Sequence, residues 1–412
     1  MTKRGRPWGY QNPQSTKQPK WQLDPSTVAV RGGLNRTGFG ETSEALFLNS
    51  GFTYDSAEQA ESSFREETDH YLYSRFANPT VAMFEQRLAA LEGAQAAVAT
   101  ASGMAAVFAS LACLVKAGDH VVASSAMFSS CYVIIAEILP GWGVEVTLVD
   151  PDNKDAWRKA LSKKTKAVFI ESPSNPLGEI TDIRFVSDLA HKVGATVIVD
   201  NVMASPVLQR PLELGADVVV YSTTKHIDGQ GRALGGAILG TKKFIKESVI
   251  PFTRHTGPSM SPFNAWIMLK SLETLQMRVE RMWTSAYSIA KALEKHPAVK
   301  SVNYPWLKSH KNNALARKQM TGGGTTLAIE FNAPKAKVFK FMNSLLVIDI
   351  SNNLGDAKSL ITHPSSTTHR RLPAEVQASM GITPSTVRLS VGLEHPDDLI
   401  RDIEQALAIA FK

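Results

Sequence analysis

The sequence predicts an α/β fold with a mostly parallel central sheet, an N-terminal arm and a smaller C-terminal α+β domain. Three observations carry this. From Thr80 to about Leu269, short apolar runs alternate with segments of helical period, the pattern of βαβ units whose parallel strands are covered on both faces. Beyond a breaker-poor helical stretch, about Ser261 to Lys295, the order changes to strand, strand, helix, strand and a closing helix. At 412 residues the chain is also long for one hydrophobic core.

The elements follow in order. Residues 1–26 read as a flexible basic tail and 27–75 as an arm; 76–280 make the α/β domain and 281–412 the α+β domain. Within residues 22–72 only one short helix is expected, Ala57 to Glu67, among turns. Val81–Glu92 has helical period, with apolar residues at 81, 84, 88 and 91, and a second helix opens at Gly103. Strands are predicted at His120–Ala123, Val144–Val149, Ala167–Ile170, Thr196–Asp200, Val218–Tyr221 and Gly236–Leu239, with a helix at Arg184–Val193. In the last domain, strands are expected near Val299–Tyr304, Thr325–Phe331 and Thr386–Ser390, and helices at Lys335–Ser344 and Pro396–Ala410.

Composition narrows the function classes. The chain is 43% hydrophobic and 20% charged, and no apolar run approaches the ~18 residues a membrane span needs. Cys113 and Cys131 lie in apolar segments with neither metal spacing nor a disulfide framework, which favours a reducing, cytoplasmic compartment. The formal charge of +7 is concentrated: Lys3, Arg4, Arg6, Lys17 and Lys20 supply five positive charges with no acidic neighbour, and the remainder carries +2. A nearly neutral body argues against a nucleic-acid binder.

Chemistry is expected where strands of an open α/β sheet end. Val218–Tyr221 runs into Ser222-Thr223-Thr224-Lys225 and a Gly-rich loop. A lysine there is either a snorkelling side chain or a desolvated amine nucleophile. Thr196–Val199 ends in Asp200, which suits a metal ligand, a ribose partner, a cap or the partner of a pyridinium nitrogen. Asp at one strand end and Lys at a following one is what pyridoxal phosphate requires. Ser102-Gly103-Met104 opens an apolar helix that could hold a phosphate, or is a plain Ser cap on a core helix. Ser222 and Thr224 can reach the same anion, and Tyr73-Ser74-Arg75 offers a phenol and a guanidinium in a turn.

These segments occur in a recognisable order. Tyr73-Ser74-Arg75 with Asn78-Pro79-Thr80, Ser102-Gly103-Met104, Glu171-Ser172-Pro173-Ser174-Asn175-Pro176, Val199-Asp200-Asn201, Ser222-Thr223-Thr224-Lys225 and Val387-Arg388-Leu389-Ser390-Val391-Gly392 resemble the cystathionine γ-synthase family. These are pyridoxal-phosphate enzymes of cysteine and methionine metabolism with fold type I. The resemblance implies that Lys225 binds the cofactor covalently and shuttles protons, and that Asp200 pairs with its ring nitrogen. Ser102, Gly103, Met104, Ser222 and Thr224 would cradle its phosphate. Asn175 would meet the ring hydroxyl and the substrate, and Arg388 the substrate α-carboxylate. Tyr73 and Arg75 would serve a neighbouring subunit's cofactor, which implies active dimers assembled as a homotetramer. No metal, membrane or nucleic-acid partner is implied.

The departures from the family pattern are equally specific. Phe128 occupies the position where most relatives stack a tyrosine on the cofactor ring, so no phenol is available there for proton transfer. His226 follows the lysine where tyrosine is frequent, and Asn353 replaces a usual serine near the substrate. Phe128, Thr224–Gln230 and Ser351–Ser359 resemble the O-succinylhomoserine sulfhydrylase branch, which implies replacement of succinate by sulfide to give homocysteine for methionine biosynthesis. Cystathionine γ-synthase, O-acetylhomoserine sulfhydrylase and γ-lyase activities are the alternatives within the family. A catalytically silent binding protein is the alternative outside it. His363 and His369 are expected to be structural residues at a domain interface, and Cys113 to lie in the core.

Overall fold

Twelve strands form a seven-stranded and a five-stranded sheet in the computed structural model, which describes residues 21–412. The strands are β1 (Ala96–Thr100), β2 (His120–Ser124), β3 (Glu145–Val149), β4 (Thr165–Glu171), β5 (Thr196–Asp200), β6 (Val218–Tyr221) and β7 (Gly236–Gly240) of the large sheet. The small sheet contains β8 (Val299–Asn303), β9 (Thr326–Phe331), β10 (Asp349–Ile350), β11 (Leu360–Thr362) and β12 (Thr386–Ser390). Residues 1–20, which hold the five charges of the predicted basic tail, lie outside the described residues, while its last residues, from Pro25, already enter a helix.

The described chain divides into two compact units. One holds the residues up to Cys113, Val220–Thr224 and Arg232–Leu275; the other holds Leu114–Val219, Lys225–Gly231 and Gln276–Lys412. In the second unit β5, β4, β2 and β3 are neighbours in that order and all parallel. Their carboxyl ends therefore lie along one edge, and the register sets Glu171, the last residue of β4, directly beside Asp200, the last of β5. β5 is continuous Thr-Val-Ile-Val-Asp with its last four residues buried, as a parallel strand covered on both faces should be. The preceding helix, Ile183–Val193, is fixed at both ends. Asp182 accepts from Phe185 N at 3.0 Å, and Gly194 closes the helix at φ +80°. Val122, Val168, Ile170, Val197 and Val199 pack with this helix and the fully buried Trp157.

The same unit carries the small sheet, in the order β10-β11-β12-β9-β8. β9, β11 and β12 pair antiparallel and set Arg388 opposite Ala328 and Thr362. Its apolar face packs on the closing helix Pro396–Ala410 through Leu399, Ile403 and Leu407. In the first unit β1 and β7 pair antiparallel, Ala96 opposite Gly240 and Thr100 opposite Gly236.

The six strands predicted in the α/β region fall on β2 to β7, and the predicted C-terminal strands on β8, β9 and β12. Several elements differ. β1, Ala-Ala-Val-Ala-Thr, was not expected, because alanine carries little strand signal and only tertiary pairing with β7 makes it one. The arm holds a second helix, Pro25–Arg31, capped by Asp24. The stretch from Ser261 to Lys295 is two helices, Pro262–Leu272 and Leu275–Leu293. β10 and β11 are too short to leave a periodicity.

Candidate active site

Strand ends in the second unit gather the buried polar residues. Asp200 closes β5 and accepts from Val202 N at 3.0 Å. Glu171 closes β4, and each of its oxygens accepts one backbone N–H: Phe128 N at 2.6 Å and Asn175 N at 2.6 Å. One carboxylate thus fixes the turns that carry both Phe128 and Asn175. The Glu171, Asp200 and Cys131 ligating atoms all lie within 4.8 Å of one another. Burial raises the Glu171 carboxyl well above its ordinary value, with Asp200 adding to the effect, and raises Asp200 to about 7. The Asp200 charge thus disfavours ionisation of its neighbour Glu171.

Lys225 stands four residues past the end of β6, in the second unit with these groups. Its Nζ donates to Asn353 Oδ1 at 2.6 Å. Burial, and then the positive Arg388, lower the amine to about 8, which enriches the neutral form a nucleophile or general base requires. Arg388 is buried within β12. It donates through Nη1 to Asn175 Oδ1 and through Nη2 to the carbonyls of Asn352 and Asn353, each at 2.9 Å. Its Nε has no hydrogen-bond partner among the described residues. Phe128 is half-buried, with the His369 ring edge-on at 6.2 Å. Burial brings the His369 imidazole down to about 4, so it is neutral at physiological pH.

The first unit supplies a different element. Gly103 opens the helix Gly103–Ala112, and Ser102 caps it by accepting from Ala105 N at 3.1 Å. A Cβ on Gly103 would stand 2.7 Å from Ser222 Cα, so only glycine lets the two loops approach this closely. A Cβ on Gly235 would collide with Thr223 Oγ1, which is buried and unpartnered among the described residues. The Thr224 hydroxyl donates to Gly235 O at 3.2 Å and accepts from Gly235 N at 3.0 Å, so it braces this loop. Met104 is the second residue of the same helix. Tyr73 and Arg75 are exposed, and Arg75 lies over the Phe76 ring at 4.8 Å and donates to the Arg254 carbonyl.

The expected residues therefore form two groups. Phe128, Asn175, Asp200, Lys225, Asn353 and Arg388 belong to the second unit; Tyr73, Arg75, Ser102, Gly103, Met104, Ser222 and Thr224 belong to the first. In the sequence Glu171 stands out only as part of the Glu171–Pro176 motif. The strand-end rule that found Asp200 would also have found Glu171, since it too ends an apolar run. Cys113, expected in the core, is only partly buried at the end of its helix, with Sγ 3.6 Å from Ser110 O.

The donors within each unit suit a part of pyridoxal phosphate. A buried carboxylate suits a protonated ring nitrogen, a partly neutral buried lysine suits a carbonyl carbon, and the Gly103–Ser222 approach with the orphaned Thr223 hydroxyl suits a phosphate. Comparison with known proteins agrees. The Cys/Met metabolism PLP-dependent enzyme family matches residues 26–408. An O-succinylhomoserine sulfhydrylase of Mycobacterium tuberculosis is 55% identical over 93% of this chain and 95% of its own. One from Pseudomonas aeruginosa is 44% identical over 93% and 94%. The crystal structure of cystathionine gamma synthase from Xanthomonas oryzae pv. oryzae, in complex with aminoacrylate and cysteine, superposes with a TM-score of 0.90. It is 34% identical over 95% of this chain and 99% of that one.

Proposed function

The chain belongs to the Cys/Met metabolism PLP-dependent enzyme family, and from that premise we propose that it converts O-succinylhomoserine and sulfide to homocysteine and succinate. The observation that carries the reading is the chain's likeness to two sulfhydrylases, at 55% and 44% identity over nearly their full lengths. Bound through Lys225, pyridoxal phosphate supplies an electron sink for negative charge at Cα and Cβ of the amino acid.

The chain's own residues do the rest. Ser102, Gly103 and Met104 at the start of their helix, with Ser222 and Thr224, hold the phosphate, and Asp200 holds the ring nitrogen. Arg388, aimed by Asn175 and the Asn352 and Asn353 carbonyls, takes the α-carboxylate with the geometry that suits a guanidinium. The Lys225 amine removes the α-proton and assists loss of a β-proton. Succinate then leaves from Cγ, sulfide adds there, and Lys225 returns protons to Cβ and Cα. Phe128 packs on the ring but has no hydroxyl, so proton traffic falls on Lys225. Asn353, bonded to Nζ at 2.6 Å, holds the amine beside both carbons. Tyr73 and Arg75 serve the neighbouring subunit of a homotetramer. Among the described residues no helix is long and apolar enough to cross a membrane, in keeping with a cytoplasmic enzyme.

The test supplies O-succinylhomoserine with sulfide or with cysteine, in parallel with O-acetylhomoserine. Homocysteine from the succinyl ester and sulfide, with a higher kcat/KM than for either alternative, is expected. Cystathionine as the dominant product would assign the chain to the synthase reaction instead.

A further inference from the structure

His226 follows the lysine directly and is 2% exposed. Its Nδ1 lies 3.0 Å from the Val202 carbonyl oxygen, which can only accept, so Nδ1 carries the proton. Nε2 is then the acceptor for the Thr325 hydroxyl at 2.6 Å. Both partners lead to the site. The N–H of Val202 donates to Asp200 Oδ1 at 3.0 Å, so a single residue connects the Asp200 carboxylate to the His226 ring. Thr325 immediately precedes β9, whose partner β12 carries Arg388.

The backbone of His226 is equally constrained. Its carbonyl accepts from Arg278 Nη1 at 2.7 Å and that of Ile227 from Nη2 at 3.3 Å. A Cβ on Gly355 (φ +69°) would meet His226 N at 2.7 Å, so the 353–355 turn that carries the Lys225 partner Asn353 lies directly on it. Burial and the positive charges of Arg278 and Lys225 bring the ring down to about 4, so it keeps one neutral donor–acceptor state.

We propose that His226 is a positioning residue that sets the spacing between Asp200 and Lys225, the two groups that grip opposite ends of the cofactor ring. This rests on the reading that Asp200 and Lys225 hold the cofactor. Lys225 lies in the turn after β6, and its amine needs a fixed origin to meet a carbonyl carbon while Asp200 meets the ring nitrogen. The imidazole provides it by tying the lysine's neighbour to the aspartate's turn on one side and to β9 on the other.

Three full-length variants test this. His226→Leu fills the space and makes neither bond. His226→Asn can present an amide donor at the Nδ1 position, toward Val202. His226→Gln reaches the Nε2 position, toward Thr325, and loses the Val202 bond. Pyridoxal phosphate is titrated into each apo-protein, and cofactor affinity, the pH midpoint of the bound-cofactor absorbance and Tm are recorded. His226→Leu and His226→Gln are expected to weaken binding about tenfold, the scale of one lost buried hydrogen bond, and to move the midpoint. His226→Asn is expected to stay within about threefold of wild type, less than one such bond. Wild-type affinity and midpoint in His226→Gln, with or without a lower Tm, would overturn the proposal; if His226→Leu fails to fold, the Asn and Gln pair still decides. Asp200→Asn separates the two readings. If it too keeps wild-type affinity, the assignment of Asp200 fails; if it loses affinity while the His226 variants keep theirs, only the positioning role fails.

Discussion

Lys225 carries a positive charge at acid pH and loses it through about 8, because burial and Arg388 penalise the ammonium form. Only the neutral amine attacks a carbonyl, so capture of pyridoxal phosphate by apo-protein is predicted to accelerate as pH rises toward and through 8. Stopped-flow absorbance measures this; a rate that falls over that range would contradict the assignment. Glu171 makes a second prediction. Both of its oxygens accept backbone N–H groups, and Glu171→Gln forces an NH2 against one of them. A loss of about 1–3 kcal/mol in urea unfolding is expected, the cost of an unmet buried donor; unchanged stability would show that the two turns do not depend on it. At this scale Lys225 and Asp200 were legible because they stand where apolar strand runs open into turns, the place where an α/β sheet carries its chemistry, whereas Arg388 was legible only through the resemblance of its motif. The pairing of Glu171 with Asp200 was not, because it follows from the register of β4 on β5, which no local pattern records.

Helices and strands set how closely these side chains approach one another. Trp157 is fully buried among Val122, Val149 and Val168 under the parallel strands. Trp157→Ala should cost about 3–5 kcal/mol of stability by chemical denaturation, and a loss below 1 kcal/mol would place it outside the core. Gly103→Ala pushes a methyl toward Ser222 Cα and is expected to weaken cofactor binding while leaving the helix intact by circular dichroism. The parallel strands were readable because their β-branched runs are continuous and bounded by turn residues. β1 was not, since Ala96, Ala97 and Ala99 suit a helix as well as a strand and pairing with β7 decides between them. The helix break between Leu272 and Leu275 leaves no glycine or proline to read.

Across the whole molecule, the chain returns repeatedly between its two units, and Thr224 and Lys225 fall on opposite sides of one such crossing. The α/β order was visible from alternation alone, whereas this interleaving depends on contacts far apart in sequence. Assembly gives the prediction proper to this scale. If Arg75 serves a neighbouring subunit, then Arg75→Ala and Lys225→Ala proteins, each nearly inactive, should regain activity when unfolded and refolded together, because some mixed dimers contain one intact site. No recovery in the mixed sample would place Arg75 in its own chain's site or outside catalysis. The central claim, that Lys225 is the covalent anchor and proton carrier, is tested most directly by borohydride reduction of the holoenzyme followed by peptide mass mapping. One pyridoxyl-phosphate adduct per chain is expected, on the peptide that contains Lys225 and absent in Lys225→Ala; an adduct on a different lysine, or none, would contradict that role.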